Sequence, residues 1–353
     1  MPHRSVARLQ IHKMKKYSFK DDYSEGAHPE ILRILTETNL TQTTGYGEDV
    51  FSDKARELIK KYTKNQEADI HFVTGGTQAN LIAISSILKP HHSVIAAETA
   101  HIEVHEAGAV ESTGHKINTI KTKDGKLNPG LIQKVLDNHI DEHMVKPKMV
   151  FISNSTETGL IYSLNELKEL SGFCKNNNLY LYIDGARLAS ALTSEKNDLS
   201  LKDISELTDI FYIGGTKNGA LLGEAIVINN NRLKEDFRFY MKQKGALLAK
   251  GRLIGIQFTA LFNNGLYFEL AKHANESAKK IAEALKKKGY EFMTEPVTNQ
   301  IFPILPNKLI EKLHKKYDFY VWSEVDDEKS VVRIICSWAT NEKYINAFID
   351  EID

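Results

Sequence analysis

The chain is poor in cysteine and has no surplus of charge. Cys174 and Cys336 are its only cysteines; two are too few for a disulfide framework, neither has a CxxC partner, and this usage fits a reducing compartment such as the cytoplasm. Lysine plus arginine and aspartate plus glutamate number 46 each. No global field therefore favours nucleic acid, and a small molecule becomes the default partner. Long hydrophobic runs are also missing. The longest apolar stretches, such as residues 220–228, are broken by a glycine or a glutamate and fall far short of the ~18–20 residues of a membrane span. Internal repeats and Pro- or Gly/Ser-rich linkers are absent as well.

What is present is a globular chain of 353 residues, 42% hydrophobic and 26% charged, enough for about two domains at ~100–200 residues each. The first twenty residues carry Arg4, Arg8, Lys13, Lys15, Lys16 and Lys20 without an acid. They lack the apolar stretch of a signal peptide, and Lys15-Lys16-Tyr17 after Met14 reads as a chain start, so residues 1–13 are expected to be an upstream extension.

From residue 69 to 228, short β-branched runs alternate with helix-period segments, which predicts βαβ units and a mostly parallel sheet. Strands are expected at 69–74, 93–97, 116–120, 148–153, 179–184, 209–214 and 224–228, with helices at 78–88, 129–144 and 164–176 between them. A helical zone then runs to about residue 288, and a shorter α/β pattern follows: 300–305, 308–317, 319–324, 331–337 and 342–352. The expected division is an N-terminal extension and arm (1–45), a large domain (46–262) and a smaller C-terminal α/β domain (263–353). Ligands of open α/β sheets sit beyond the carboxyl ends of the strands, which directs attention to the polar residues that follow each run.

Three such places carry chemistry. At Val73-Thr-Gly-Gly-Thr-Gln-Ala-Asn80 an apolar run gives way to Gly75 and Gly76 and then to a helix, an arrangement that turns backbone N–H groups toward an anion such as a phosphate. Neither GxxxxGK[ST] nor GxGxxG is present there. A second run delivers Asp184 at its end, a position that also suits a helix cap. A third ends Gly214-Gly-Thr-Lys217, placing Lys217 at the same sheet edge. A phosphate cradle, a strand-end acid and a strand-end lysine together are what pyridoxal phosphate requires: the lysine for a Schiff base, and the acid to keep the pyridine nitrogen protonated. His101 and His105 stand four residues apart without HExxH or a third ligand, which weighs against zinc. His91-His92 reads as a turn, and the lysines of 279–288 as a solvated helix face.

The ordered set Tyr-Gly-Glu-Asp (46–49), Thr-Gly-Gly-Thr-Gln-Ala-Asn (74–80), Ala-His-Ile (100–102), Glu-Ala-Gly (106–108), Asp-Gly-Ala-Arg (184–187), Gly-Thr-Lys (215–217) and Arg333 resembles the low-specificity L-threonine aldolases. These are fold-type I pyridoxal phosphate enzymes of the β-eliminating lyase group, and the resemblance runs from about Phe19 to the C-terminus. It implies that Lys217 forms the Schiff base, Asp184 pairs with the pyridine nitrogen, and Gly76, Thr77 and Thr216 hold the phosphate. His101 would stack on the ring as a candidate base for the substrate β-hydroxyl, and Arg187 would reach the cofactor's 3-oxygen or the substrate carboxylate. Arg333 would bind that carboxylate, a task suited to a bidentate guanidinium.

Two departures from the family pattern stand out. Glu157, in Ser155-Thr-Glu-Thr-Gly159, occupies the place of a family histidine near the hydroxyl and is with His101 a candidate catalytic residue for the hydroxyl proton, and Ser24 is the expected polar contact near the carboxylate in Asp21-Asp-Tyr-Ser-Glu25. The implied activity is retro-aldol cleavage of L-threonine, L-allo-threonine and related amino acids to glycine and an aldehyde. The implied assembly is a homo-oligomer, a dimer of dimers, with Tyr46 and residues 244–252 serving a neighbouring subunit. A β-eliminating lyase or aminotransferase-like enzyme uses the same lysine and aspartate and is the alternative.

Overall fold

Seven of the apolar runs line up in one sheet. The computed structural model describes residues 16–352; the extension expected over 1–13 lies outside them. In chain order the strands are β1 (Tyr17–Ser18), β2 (Asp69–Val73), β3 (His92–Ala97), β4 (Lys116–Ile120), β5 (Lys146–Ser153), β6 (Tyr180–Asp184), β7 (Ile210–Gly214) and β8 (Glu224–Ile228). Then come β9 (Gln300–Ile301), β10 (Ile304–Pro306), β11 (Tyr317–Asp318), β12 (Tyr320–Glu324) and β13 (Lys329–Ile335). The large sheet has the order β2-β8-β7-β6-β5-β3-β4. Only β8 runs against the rest, antiparallel to both β7 and β2. Residues 215–223 join β7 to β8, and a parallel crossover needs about a dozen residues or more, so the chain turns back as a hairpin.

The central runs read as continuous apolar sequence because both faces are covered. Ile70, Phe72, Ile95, Val150, Ile152, Leu181, Ile183, Phe211, Ile213, Ala225 and Val227 enter one core, while Val73, Val94, Met149, Phe151, Tyr182, Ile210, Tyr212, Ile226 and Ile228 enter the core on the opposite face. This partition follows the two-residue period of a strand. Helix starts are set locally: Asp49 caps Val50–Thr63 by accepting from the N–H groups of Phe51 and Ser52, and Ser163 with Glu166 forms a reciprocal capping box on Leu164–Asn176.

The helix expected at 129–144 spans only Pro129–Asp137, where Asn138 caps it. The helix expected from 78 begins at Gly76, so the glycines themselves form its first turn. Pro303 splits the run at 300–305 into β9 and β10, which both pair with β13; proline has no N–H to continue a ladder.

The smaller core is built by β9, β10, β11, β13 and the helices Asn307–His314 and Glu342–Ile352, while β12 pairs on β13 and is largely exposed. The long helix Leu266–Lys287 belongs to both units: Tyr267, Leu270 and Ala271 pack in the large core, and Ala278, Ile281, Ala282 and Leu285 in the small one. The expected boundary at 262/263 thus falls at the bend before a shared helix. The arm is divided too. β1 pairs with β11, Phe19 is buried in the small core, and Ile31 of helix Pro29–Glu37 is buried in the large one. Residues 20–28 therefore cross between the two units. No helix among the described residues is long and apolar enough to cross a membrane.

Candidate active site

The polar residues singled out above meet at one edge of the large sheet. β2, β3, β5, β6 and β7 all end there, and because β8 is reversed its first residue, Glu224, arrives at the same edge opposite Gly214 and Val73. They line a cavity of about 570 Å³ together with residues of β12, β13 and the arm; Gly76, Thr77, His101, Glu157, Asp184, Arg187, Thr216, Lys217 and Arg333 are all in its wall. Ser24 is not. It is exposed and outside the lining, and its neighbours face inward instead: Tyr23 lines the cavity and Asp22 is buried against Arg187. Residues 22–23 form a turn and 24–25 a bend, and this local geometry decides which side chain enters the site.

The anion cradle is the first turn of helix Gly76–Ile87. Its N-cap, Gly75, offers no side-chain cap, and a helix N-terminus left uncapped in this way presents N–H groups and the positive end of the dipole to an anion. Gly76 is required by a close approach, since a Cβ there would lie 2.9 Å from the Tyr212 hydroxyl oxygen. That hydroxyl donates to Asp184 Oδ1 at 2.6 Å. Asp184 is also held by the Ala186 N–H at 2.9 Å and by Asn80 Nδ2 at 3.2 Å. Gly185 lets β6 leave the sheet against β7, since a Cβ would lie 1.7 Å from the Tyr212 carbonyl oxygen.

Lys217 is half-buried in the cavity wall between charges of both signs. Burial and the Arg187 guanidinium lower its pKa, while Asp22, Asp184 and Glu224 oppose the shift. The net effect favours the neutral amine, the form that attacks a carbonyl. Glu224 accepts from the Gly215 N–H at 2.9 Å, and burial pushes its carboxyl up to about 8, against hydrogen bonds from Thr216 and Gly215. Thr216 Oγ1 in turn accepts from the Gly223 N–H at 3.0 Å, bracing the hairpin that carries the lysine.

The two arginines differ in availability. Arg187 donates through Nε and Nη2 to Asp22 at 2.7 and 3.0 Å, and Asn299 Nδ2 also donates to Asp22 at 3.0 Å. Burial works to raise the Asp22 carboxyl, but the charges of Arg187 and Lys217 and these hydrogen bonds hold it below the usual range. Arg333, on β13, has a buried Nε without a partner among the described residues and lies over the rings of Tyr320 and Trp322, with its central carbon 4.7 and 5.2 Å from their centroids. The register of β12 on β13 slips at Trp322, a bulge that re-aims a side chain.

His101 opens the short helix His101–Val104. Its backbone N–H donates to Glu157 Oε1 at 3.1 Å, and the Ser153 hydroxyl donates to the same oxygen at 2.6 Å. Burial raises the Glu157 pKa, opposed by the Ser153 hydrogen bond. The His101 ring lies 5.5 Å from that of His105, which also lines the cavity. Among the described residues no group of three or more His, Cys, Asp or Glu is placed to hold a metal ion.

Sequence reasoning assigned no role to Asp22, Tyr23, Asn80, Glu106, Tyr212, Glu224, Tyr320 or Trp322. Asn80 and Glu106 stand inside motifs quoted for the resemblance, and Asp22 and Tyr23 inside the segment that singled out Ser24; the others carry no local signal.

The uncapped helix turn, the half-buried lysine and the strand-end acid fit pyridoxal phosphate, and together with the sheet order they define a fold-type I pyridoxal phosphate-dependent enzyme. A Thermus thermophilus aspartate aminotransferase shares this fold at 13% identity, with a TM-score of 0.71 over 96% of this chain and 91% of that one. Residues 27–307 match the beta-eliminating lyases, and the chain belongs to that family. It is 33% identical over 341 residues to the low-specificity L-threonine aldolase of a Pseudomonas species, covering 95% of this chain and 96% of that one. A solved structure of Leishmania major threonine aldolase superimposes with a TM-score of 0.94 at 47% identity, over 95% of this chain and 98% of that one.

Proposed function

We propose that this chain is a pyridoxal phosphate-dependent aldehyde-lyase that cleaves L-threonine, L-allo-threonine and related β-hydroxy-α-amino acids to glycine and an aldehyde. The observation that carries this reading is the meeting, in one cavity, of Lys217 and Asp184 with an arginine whose Nε is unpartnered and an imidazole, Arg333 and His101. The full-length likeness to threonine aldolases supports it.

Gly76, Thr77 and Thr216 hold the cofactor phosphate, Asp184 the pyridine nitrogen, and Lys217 the aldehyde carbon. When bound, the cofactor takes up the electron pair left on the substrate Cα as a bond to it breaks. The protein selects that bond by orientation. Arg187 already spends Nε and Nη2 on Asp22, so Arg333 is the principal anchor for the substrate carboxylate, and Tyr320 and Trp322 hold its plane. His101 accepts the β-hydroxyl proton. Glu157 anchors the start of the His101 helix through Oε1, and the upward shift from burial disfavours its anionic, basic form.

The assembly belongs to the same reading. The exposed apolar side chains Leu40, Val50 and Phe239, at 93, 69 and 75% exposure, support a homo-oligomer, a dimer of dimers in which Tyr46 and residues 244–252 face a neighbour. The buried free thiols Cys174 and Cys336 support a cytoplasmic setting.

The test is product analysis of the holoenzyme with L-threonine, L-allo-threonine, L-serine and phenylserine. Glycine with the matching aldehyde is expected. Pyruvate or 2-oxobutyrate with ammonia would assign β-elimination instead.

A further inference from the structure

Glu106 has no task in the reading above, yet it lies directly behind the proposed base. It follows the helix His101–Val104 in a turn where Ala107 and Gly108 take φ of 51° and 73°, a left-handed bend uncommon for alanine. Its side chain has 0% exposure. Oε1 lies 2.8 Å from His101 Nδ1 and accepts from Asn80 Nδ2 at 2.7 Å, while Oε2 is buried with no partner among the described residues. Asn80 Nδ2 also donates to Asp184 Oδ2 at 3.2 Å, and the Asn80 carbonyl accepts from the Tyr182 hydroxyl at 2.8 Å. One amide thus joins the acid behind the imidazole to the acid assigned to the pyridine nitrogen.

This geometry sets the state of the ring. An amide N–H can only donate, so Oε1 accepts from Asn80, and as a carboxylate Glu106 has only acceptor oxygens, which gives the proton of the 2.8 Å contact to the imidazole nitrogen. With the proton on Nδ1, the lone pair sits on Nε2, the ring nitrogen without a protein partner on a residue that lines the cavity. A buried carboxylate behind an imidazole also stabilises the cation formed when the ring accepts a proton. A purely structural role is poorly served here: a buried carboxylate oxygen without a partner is costly, and a neutral side chain would fill the same space at lower cost.

We propose that Glu106 is a positioning residue that fixes His101 in the Nδ1-protonated tautomer and makes Nε2 the acceptor of the substrate β-hydroxyl proton. The inference rests on the aldolase reading. As the Cα–Cβ bond breaks, the hydroxyl proton moves to Nε2 and the C–O bond becomes the aldehyde carbonyl. The former Cα takes a proton, so glycine and aldehyde account for every atom of the substrate.

Glu106→Leu, of similar size and without an acceptor, tests it in the holoenzyme by comparing two reactions. Aldol cleavage needs the hydroxyl proton removed, whereas exchange of the glycine α-hydrogen with D2O uses the same cofactor, lysine and carboxylate anchor but has no hydroxyl. The expected result is a fall in cleavage kcat of about 100-fold or more, the scale of lost general-base catalysis, with KM and glycine exchange within about threefold of wild type. The double variant with His101→Ala should cleave no more slowly than His101→Ala alone, because Glu106 acts only through that ring. In imidazole-15N spectra of the protein without substrate, His101 should show a protonated Nδ1 that Glu106→Leu, which leaves no acceptor behind the ring, abolishes.

Unchanged cleavage, a double variant slower by the product of the two single effects, or equal loss of cleavage and exchange overturns the proposal; the last would make Glu106 a builder of the pocket as a whole. A wild-type enzyme that exchanges glycine but cleaves no β-hydroxy amino acid would instead remove the aldolase reading.

Discussion

Replacing Asp22 by alanine removes the acid that closes on Arg187 from the arm. The wild-type pair is buried, with Asp22 and Arg187 side chains 1 and 14% exposed, and Asp22 ties the arm both to Arg187 and to Asn299. Alanine leaves the Arg187 cation without a counter-ion, and breaking a buried pair in this way costs about 3–5 kcal/mol. For 353 residues the unfolding entropy is roughly 0.7 kcal/mol per kelvin at about 2.1 cal/mol/K per residue, so Tm should fall by roughly 4–7 °C. The pH dependence has a definite sign. The Asp22 carboxyl is held below its ordinary range in the folded state; its contribution is therefore fully present above about pH 3.9 and is lost as pH falls through the depressed value. Thermal melts followed by circular dichroism at pH 7 and in a series below pH 4 should show a wide gap between wild type and variant that narrows with acid. A Tm within about 1 °C of wild type at pH 7 would refute the reasoning, because the pair would then contribute no more than its desolvation costs.

Lys217→Ala should abolish turnover and the visible absorbance of the covalently held cofactor, with the phosphate cradle unaltered; an absorbance band that survives dialysis would assign another lysine. Arg333→Ala should raise KM by about 10- to 150-fold, the equivalent of a charge-assisted hydrogen bond of about 1.5–3 kcal/mol, and steady-state kinetics unchanged from wild type would move the carboxylate anchor elsewhere. Glu157→Gln keeps an oxygen to accept from the His101 N–H and the Ser153 hydroxyl, so cleavage should stay within about threefold, whereas a loss of about 100-fold or more would make Glu157 a base. Since burial raises the Glu157 pKa, ionisation penalises the folded state above the ordinary carboxyl range, and denaturant titrations should show the Gln variant gaining stability relative to wild type as pH rises from about 4.3.

The amino-acid sequence by itself determined the large sheet and the residues fixed to its edge. The central strands β6 to β8 are nearly continuous apolar runs because both faces are buried, Asp184 closes β6 and Lys217 follows β7 by three residues, so local pattern suffices to place the acid and the lysine together. Gly75 and Gly76 were legible for the same reason, as a run that stops and a helix that starts. The reversal of β8 was less evident, although the short link at 215–223 already limits that connection to a hairpin.

The tertiary structure alone decided how these groups are paired. Asp22 and Arg187 are 165 positions apart and meet only because the arm, anchored by Phe19 in one core and Ile31 in the other, crosses between the two units. That crossing turns Tyr23 inward and leaves Ser24 outside. Asn80, Glu106 and Asp184 come from three segments, and their shared hydrogen bonds exist only after β2, β3 and β6 have aligned. Trp322 reaches Arg333 through a slip in strand register. Periodicity specifies which face of an element is apolar. It does not specify which buried charge will face which, because that choice depends on the closure of remote segments, where the cost of leaving a buried ion unpaired selects the partner.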